Sequence, residues 1–174
     1  MILIRSLTRF LLLPLICAVA VSTAVPALRA EIPPDQIKAA GAIPLTTELL
    51  DKMDKVVKAL TTDAAAKAEL NAMPNDPNQT AEGWGAAISS KCPKATEHFK
   101  SAGITPEEFM KAITAMMAVG MAEVMGGDLA KSTDKTVAAN AAFVAANKDR
   151  TNAVGGAFMT LGEPAPSSSP ASTP

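Results

Sequence analysis

The sequence predicts an all-α protein: a single-domain bundle of about five to six helices around a central methionine-rich helix. Apolar residues recur at spacings of three and four through most of the chain, which is the period of a helix that buries one face. No segment alternates apolar and polar residues as a half-buried strand does. Tyrosine, which is favoured in strands, is absent.

The central helix is predicted from start and stop signals at the two ends of Ile104–Gly127. Thr105 suits the N-cap and Pro106 the first helical position, while Glu108 lies three residues after Thr105 and completes a capping box. Two glycines provide a left-handed stop at the other end. Because most of its circumference is apolar, we expect other helices to surround it. Its main apolar stripe comprises Phe109, Ile113, Met116, Met117, Gly120 and Val124, with Met110 and Met121 on the flank.

Residues 1–30 have the pattern of a signal peptide for export. Arg5 and Arg9 precede an apolar run at residues 10–21, and small residues follow. The run is too short to span a bilayer comfortably, so we expect cleavage after Ala27 or Ala30 and no stable membrane span afterwards. The mature protein is therefore predicted to be periplasmic or secreted.

The rest of the chain divides into an arm, a helical domain and a tail. Residues 31–44 contain three prolines and are predicted to form an extended arm, with room for one helical turn at Asp35–Ala40. Residues 45–162 form the helical domain. Residues 163–174 are rich in proline and serine, show no apolar pattern, and are predicted to be disordered.

Five further helices are predicted within the domain from caps and apolar spacing. Gly83 and Gly85 weaken the third of these, and Gly155-Gly156 weakens the last. The start signals of the first four are Thr46 or Thr47, Asp63, Thr80 and Pro93, and the last helix carries the stripe Phe143, Asn147, Arg150, Val154 and Phe158.

The mature chain is mildly acidic and its charges are mixed in sign. Without the three arginines of the signal peptide, 13 basic residues face 17 acidic ones, a net charge of about −4. No basic patch and no run of interleaved aromatic and basic residues is present, so we expect no nucleic-acid partner. Cys92 is the one cysteine that remains, which excludes an internal disulfide, and we favour burial of its thiol over an intermolecular bridge.

The sequence gives little support for enzymatic chemistry. His98 is the only histidine, and no serine or cysteine motif surrounds it as a hydrolase nucleophile requires. Glu107 and Glu108 are adjacent helical residues whose side chains diverge, and helix capping explains them. We therefore expect a non-enzymatic protein that needs no cofactor.

The methionines of the central helix allow two interpretations. Met117, Met121 and Met125 lie at i, i+4 and i+8, and Met110 lies on the same flank. Methionine fills irregular helical cores well, so core packing is the preferred interpretation. The alternative is a periplasmic Cu(I)-binding protein in which the thioethers of these four residues bind the metal.

The leading functional prediction is a binding or accessory module with an apolar groove between helices. Methionine-lined surfaces repack around varied guests, so the groove would take a small apolar ligand or a helix of an unknown protein partner. The residues expected to line it are Trp84, Phe109, Met110, Met117, Met121 and Phe143. A second candidate is the polar set Asn140, Asn147 and Arg150, for which a cap and interhelical hydrogen bonds are the alternative explanation.

Two segments resemble a pattern in small exported bacterial proteins of an uncharacterised family. They are Gly103–Phe109, together with the methionine-rich helix after it, and Asn140–Lys148. The resemblance covers roughly residues 44–161, and its motifs are helix caps and packing positions. It implies an exported helical protein from a Gram-negative-like bacterium and implies no activity, so no catalytic residue is carried over.

Overall fold

The computed structural model describes residues 32–74, 76 and 79–161, and this part of the chain confirms the all-α prediction. It contains eight α-helices, one short 3-10 turn and no strand. None of the helices in these residues is both long enough and apolar enough to cross a membrane. The predicted signal peptide, residues 1–30, and the predicted tail, residues 163–174, lie outside the described residues.

The described helices outnumber the predicted five to six because one helix forms in the predicted arm and the predicted last helix is two. The predicted last helix is interrupted at Asn147. The backbone of this residue leaves helical geometry, and its side-chain amide donates to the Phe143 carbonyl at 2.9 Å. The helices are α1 (Pro34–Ala40), α2 (Thr47–Thr62), α3 (Ala64–Asn71), α4 (Ala81–Lys91), α5 (Pro93–Ala102), α6 (Pro106–Val124), α7 (Lys135–Ala146) and α8 (Lys148–Leu161), and the 3-10 turn is Leu129–Lys131.

Residues 32–44 do not form an extended arm, contrary to the prediction for this segment. Pro34 occupies the first position of α1, where its missing N–H leaves no hydrogen bond unmade. Ala40 at the end of α1 is fully buried, and α1 packs against α6 and α7. The side-chain amide of Gln36 also donates to the Ala118 carbonyl of α6 at 3.4 Å. Tertiary contacts thus extend the one turn allowed by the sequence into a packed helix.

The central helix is α6, as predicted, and it contacts α1, α4, α7 and α8. Its capping box is formed: the Glu108 N–H donates to Thr105 Oγ1 at 3.1 Å, and the Thr105 N–H donates to Glu108 Oε2 at 2.9 Å. The hydrogen bond from the Thr105 N–H lowers the pKa of Glu108. At the other end Gly126 has a φ of 77° and the Gly127 N–H donates to the Ala122 carbonyl at 2.8 Å. This is the predicted left-handed stop.

Three aromatic rings form the centre of the core where α5, α6 and α8 meet. Phe99 and Phe109 are fully buried and pack edge to face with their ring centroids 5.2 Å apart. The ring centroids of Phe109 and Phe158 lie 5.1 Å apart. The apolar stripe of α2 completes this core with Leu50, Met53, Val56, Val57 and Leu60.

The backbones of α4 and α6 approach each other closely at Gly85. A Cβ atom added there would lie 2.5 Å from the Glu107 Cα and 2.7 Å from its backbone nitrogen. Backbone atoms cannot rotate away as a side chain can, so the contact requires glycine at this position. Gly85 weakens α4 as an isolated helix, but its missing side chain allows α4 to pack on α6.

Candidate functional site

The methionines of α6 divide into a buried and an exposed group. Met110 and Met116 are buried, with 8% and 7% of their surface exposed, as core packing requires. Met117 and Met121 are 54% and 63% exposed, so the interpretation of these two as core residues is wrong. Val124 on the same side of the helix is 88% exposed. An apolar face of α6 is therefore open to solvent.

The exposed apolar residues of α6 lie on one side of the helix. Residues 117, 121 and 124 lie at i, i+4 and i+7, so their side chains share one face of the helix. A sequence period shows which residues share a face, but it does not show whether a neighbouring helix covers that face. We term the exposed residues Met117, Met121, Val124 and Met125 the α6 face.

A groove of about 240 Å³ lies beside the α6 face, between α6 and α8. The two helices run antiparallel here, because Lys148 at the start of α8 pairs with Glu123 near the end of α6, whereas Phe158 meets Phe109. Met117 belongs both to the α6 face and to the wall of the groove. The residues that give the α6–α8 groove its apolar lining are Ile113, Met116, Met117, Gly120, Val144 of α7, Gly155 and Gly156.

Three glycines keep the α6–α8 groove open. A Cβ added at Gly120, Gly155 or Gly156 would meet no atom of residues 32–74, 76 or 79–161 within 4 Å, and none of the three has a positive φ. Neither a turn nor close packing among the described residues therefore requires glycine at these positions. Glycine inside a helix costs about 0.5–1 kcal/mol relative to alanine. All three line the α6–α8 groove, where their missing side chains leave open space.

Charge at the rim of the groove is confined to one end. Lys148 Nζ lies 3.0 Å from Glu123 Oε1, and both side chains are more than half exposed. Thr151 is buried, and its hydroxyl donates to the Asn147 carbonyl at 3.2 Å. The Thr151 hydroxyl is thus already bonded, and the floor of the groove is mainly apolar.

The residues predicted to line one groove lie in different places. Met117 lines the groove and Met121 stands beside it on the α6 face. Phe109 and Met110 are core residues, and they are not available to a ligand. Trp84 and Phe143 are half-buried and pack against the core away from the groove-lining set. The aromatic residues misled the prediction because large apolar side chains are the first to be buried in a core.

The predicted polar set does not form one site. Asn140 is buried on α7 and bonds the backbone between α1 and α2, whereas Asn147 bonds the carbonyl of Phe143 at the end of its own helix. Arg150 lies on α8 and pairs with Asp51 and Asp54 of α2, which raises the pKa of the guanidinium. The break between α7 and α8 gives these three side chains separate structural roles. A cap and interhelical hydrogen bonds account for all of them.

Cys92 and His98 are both engaged in the structure. Cys92 is fully buried with a free thiol, as favoured from the sequence, and desolvation raises its pKa. His98 Nε2 lies 2.9 Å from Asp63 Oδ2, and Asp63 also accepts the N–H of Ala66 at the start of α3. The hydrogen bond with His98 is the main cause of the lowered pKa of Asp63. Over the described ranges, no three His, Cys, Asp or Glu side chains are grouped so as to hold a metal ion.

The α6 face and the α6–α8 groove are therefore the strongest candidate site in the described part of the chain. They combine exposed apolar side chains with open space, whereas the other candidate residues are occupied by partners within the fold. Comparison with protein-family models, with curated proteins and with solved structures gives no significant match to this chain.

Proposed function

We propose that the protein is a non-enzymatic binding or accessory module whose α6 face and α6–α8 groove receive an apolar helix of a partner protein. The observation that carries this proposal is the exposure of Met117 and Met121 beside a groove kept open by glycine. Contiguous exposed apolar residues on a folded domain mark interaction sites more often than isolated ones do. Methionine suits such a surface because its flexible thioether adapts to different guests.

The size and shape of the site favour a helix over a small ligand. Sites for drug-sized molecules usually enclose about 300–1,000 Å³, whereas this groove holds about 240 Å³ and is partly open to solvent. Helix-binding grooves receive side chains at i, i+3, i+4 and i+7 of the guest. The α6 face repeats at i, i+4 and i+7 itself, so a guest helix aligned with α6 can place its apolar stripe against it.

The predicted export of the protein limits which partner proteins the α6 face could bind. Residues 1–30 carry the pattern of a signal peptide, which supports export of the mature domain to the periplasm or the cell exterior. The partner is then another exported protein or the periplasmic segment of an envelope protein. The mature net charge of about −4 gives no reason to expect a nucleic acid.

The proposal predicts that a charge on the α6 face weakens helix binding. The probe is a synthetic amphipathic helix with leucine at i, i+3, i+4 and i+7 and with lysine and glutamate elsewhere. Met121→Glu should weaken its binding by about tenfold or more, equivalent to about 1.4 kcal/mol, because the carboxylate loses water when the helix docks. Fluorescence anisotropy of the labelled peptide measures the effect.

Met159→Glu is the matched control, because Met159 is 62% exposed on α8 and is outside the groove-lining set. Both variants add one charge at an exposed methionine, so both should keep the wild-type circular dichroism spectrum. Equal loss of binding in the two variants would show that net charge, and not the α6 face, controls the interaction. Binding of an apolar fluorophore such as anilinonaphthalene sulfonate without any peptide binding would replace the partner helix with a small apolar ligand.

A further inference from the structure

The exposed face of α6 carries three thioethers in one row. Met117, Met121 and Met125 lie at i, i+4 and i+8 and have 54%, 63% and 36% of their surface exposed. Met110, which shares their flank in the sequence, is 8% exposed and packs in the core. Met117, Met121 and Met125 are therefore accessible to a solute, whereas Met110 is not.

The spacing of these residues allows two thioethers to reach one ion. Residues at i and i+4 of a helix have Cβ atoms about 5–6 Å apart, and methionine has three rotatable side-chain bonds with which to bring its sulfur towards a neighbour. Met117 and Met125 are eight residues apart, about 12 Å along the axis. Met121 lies one turn from each, so it is the ligand that any pair must share.

The thioether sulfurs of Met117, Met121 and Met125 favour a soft monovalent ion. Thioethers are uncharged and need no deprotonation, and soft sulfur ligands favour Cu(I) over divalent ions that prefer oxygen or nitrogen. Competing ligands in the described residues are occupied or dispersed: Cys92 is buried, His98 bonds Asp63, and Glu123 pairs with Lys148. No grouping of His, Cys, Asp or Glu suited to Zn(II) or Cu(II) occurs there either.

We infer that the α6 face is a Cu(I)-binding site in which Met121 binds the ion together with Met117 or Met125. Binding involves no redox step, because the ion arrives and leaves as Cu(I). The site uses the thioether sulfurs, whereas helix docking uses only the apolar surface of the same side chains. This inference is therefore independent of the proposed helix-binding function, although one surface serves both.

Replacement of methionine by leucine tests the site without removing the apolar face. Met121→Leu keeps size and apolarity and should cost little stability, since the side chain is exposed. We expect it to lower the affinity for Cu(I) by about tenfold or more, because one ion–sulfur bond of each pair is lost. Competition between the purified protein and a coloured Cu(I) chelator under anaerobic, reducing conditions measures the affinity.

Met159→Leu is the control, because it removes an exposed methionine from α8. It should bind Cu(I) as the wild type does, and neither protein should take Zn(II) from a zinc indicator. The inference is overturned if the wild type removes no Cu(I) from the chelator, or if Met121→Leu binds it as tightly. Peptide binding by Met121→Leu should remain at the wild-type level, so a failure of the metal site is distinguishable from a failure of the helix-binding surface.

Discussion

Replacing Asn140 with alanine is expected to lower the free energy of unfolding by roughly 3–5 kcal/mol. The side chain is 1% exposed and makes three hydrogen bonds to the backbone that joins α1 to α2. Its oxygen accepts the Leu45 N–H at 2.8 Å, and its amide nitrogen donates to the carbonyls of Ala40 at 2.7 Å and Ile43 at 2.8 Å. Alanine leaves all three groups without this partner, and each unsatisfied buried group costs about 1–3 kcal/mol.

Asn147→Ala is the control for this experiment. The Asn147 side-chain amide donates to the carbonyl of Phe143 at the end of its own helix, so its loss should cost about 1 kcal/mol. Urea denaturation of the two variants and the wild type gives the comparison. Equal losses would mean that Asn140 does not hold the α1–α2 connection. Hydrogen exchange should also increase at residues 40–45 in Asn140→Ala alone, because the Leu45 N–H loses its acceptor.

Gly85→Ala is expected to destabilise the protein by roughly 2–3 kcal/mol, although alanine is the better helix former. The added methyl group would lie 2.5 Å from the Cα of Glu107, so α4 must move away from α6 or the backbone of α6 must shift. Either change loosens the packing around the start of the central helix. Thermal or denaturant unfolding monitored by circular dichroism measures the loss.

Gly155→Ala is the matched substitution with the opposite expected sign. Its added Cβ would meet no atom within 4 Å in the part of the chain that the structure describes, so the change should raise the free energy of unfolding by about 0.5–1 kcal/mol through helix propensity alone. A stabilising effect at both positions would show that α4 and α6 do not approach as closely as the structure indicates. Loss of stability at Gly155 would mean that the α6–α8 groove is already filled.

Caps and stop signals predict most helices of this chain well, because each such signal depends on only a few neighbouring residues. Thr105 and Glu108 form the predicted capping box, and Gly126 ends α6 with a positive φ. The break at Asn147 is harder to predict, since an apolar stripe continues across it and the cap depends on one side-chain hydrogen bond. The packing of α1 is set by contacts with α6 and α7, which lie far away in the sequence.

The candidate site is less predictable because apolar periodicity does not distinguish a covered face from an open one. Met110 and Met121 lie on the same flank of the apolar stripe in the sequence, yet Met110 is buried and Met121 is 63% exposed. The positions of the glycines are the sequence feature that indicates the open face. Gly120 lies within the apolar stripe of α6, and Gly155-Gly156 lies within α8. All three glycines line the groove, where the fold leaves open space.

The most direct test of the helix-binding proposal is to observe which methionine methyl groups change when the amphipathic peptide binds. Nuclear magnetic resonance of protein labelled at the methionine methyl carbons reports each position separately. We expect the resonances of Met117 and Met121 to shift on addition of peptide, while those of Met53, which is 1% exposed, and of Met159 stay unchanged. Peptide binding that leaves Met117 and Met121 unchanged, or that shifts Met159 instead, would contradict the assignment of the α6 face as the binding surface.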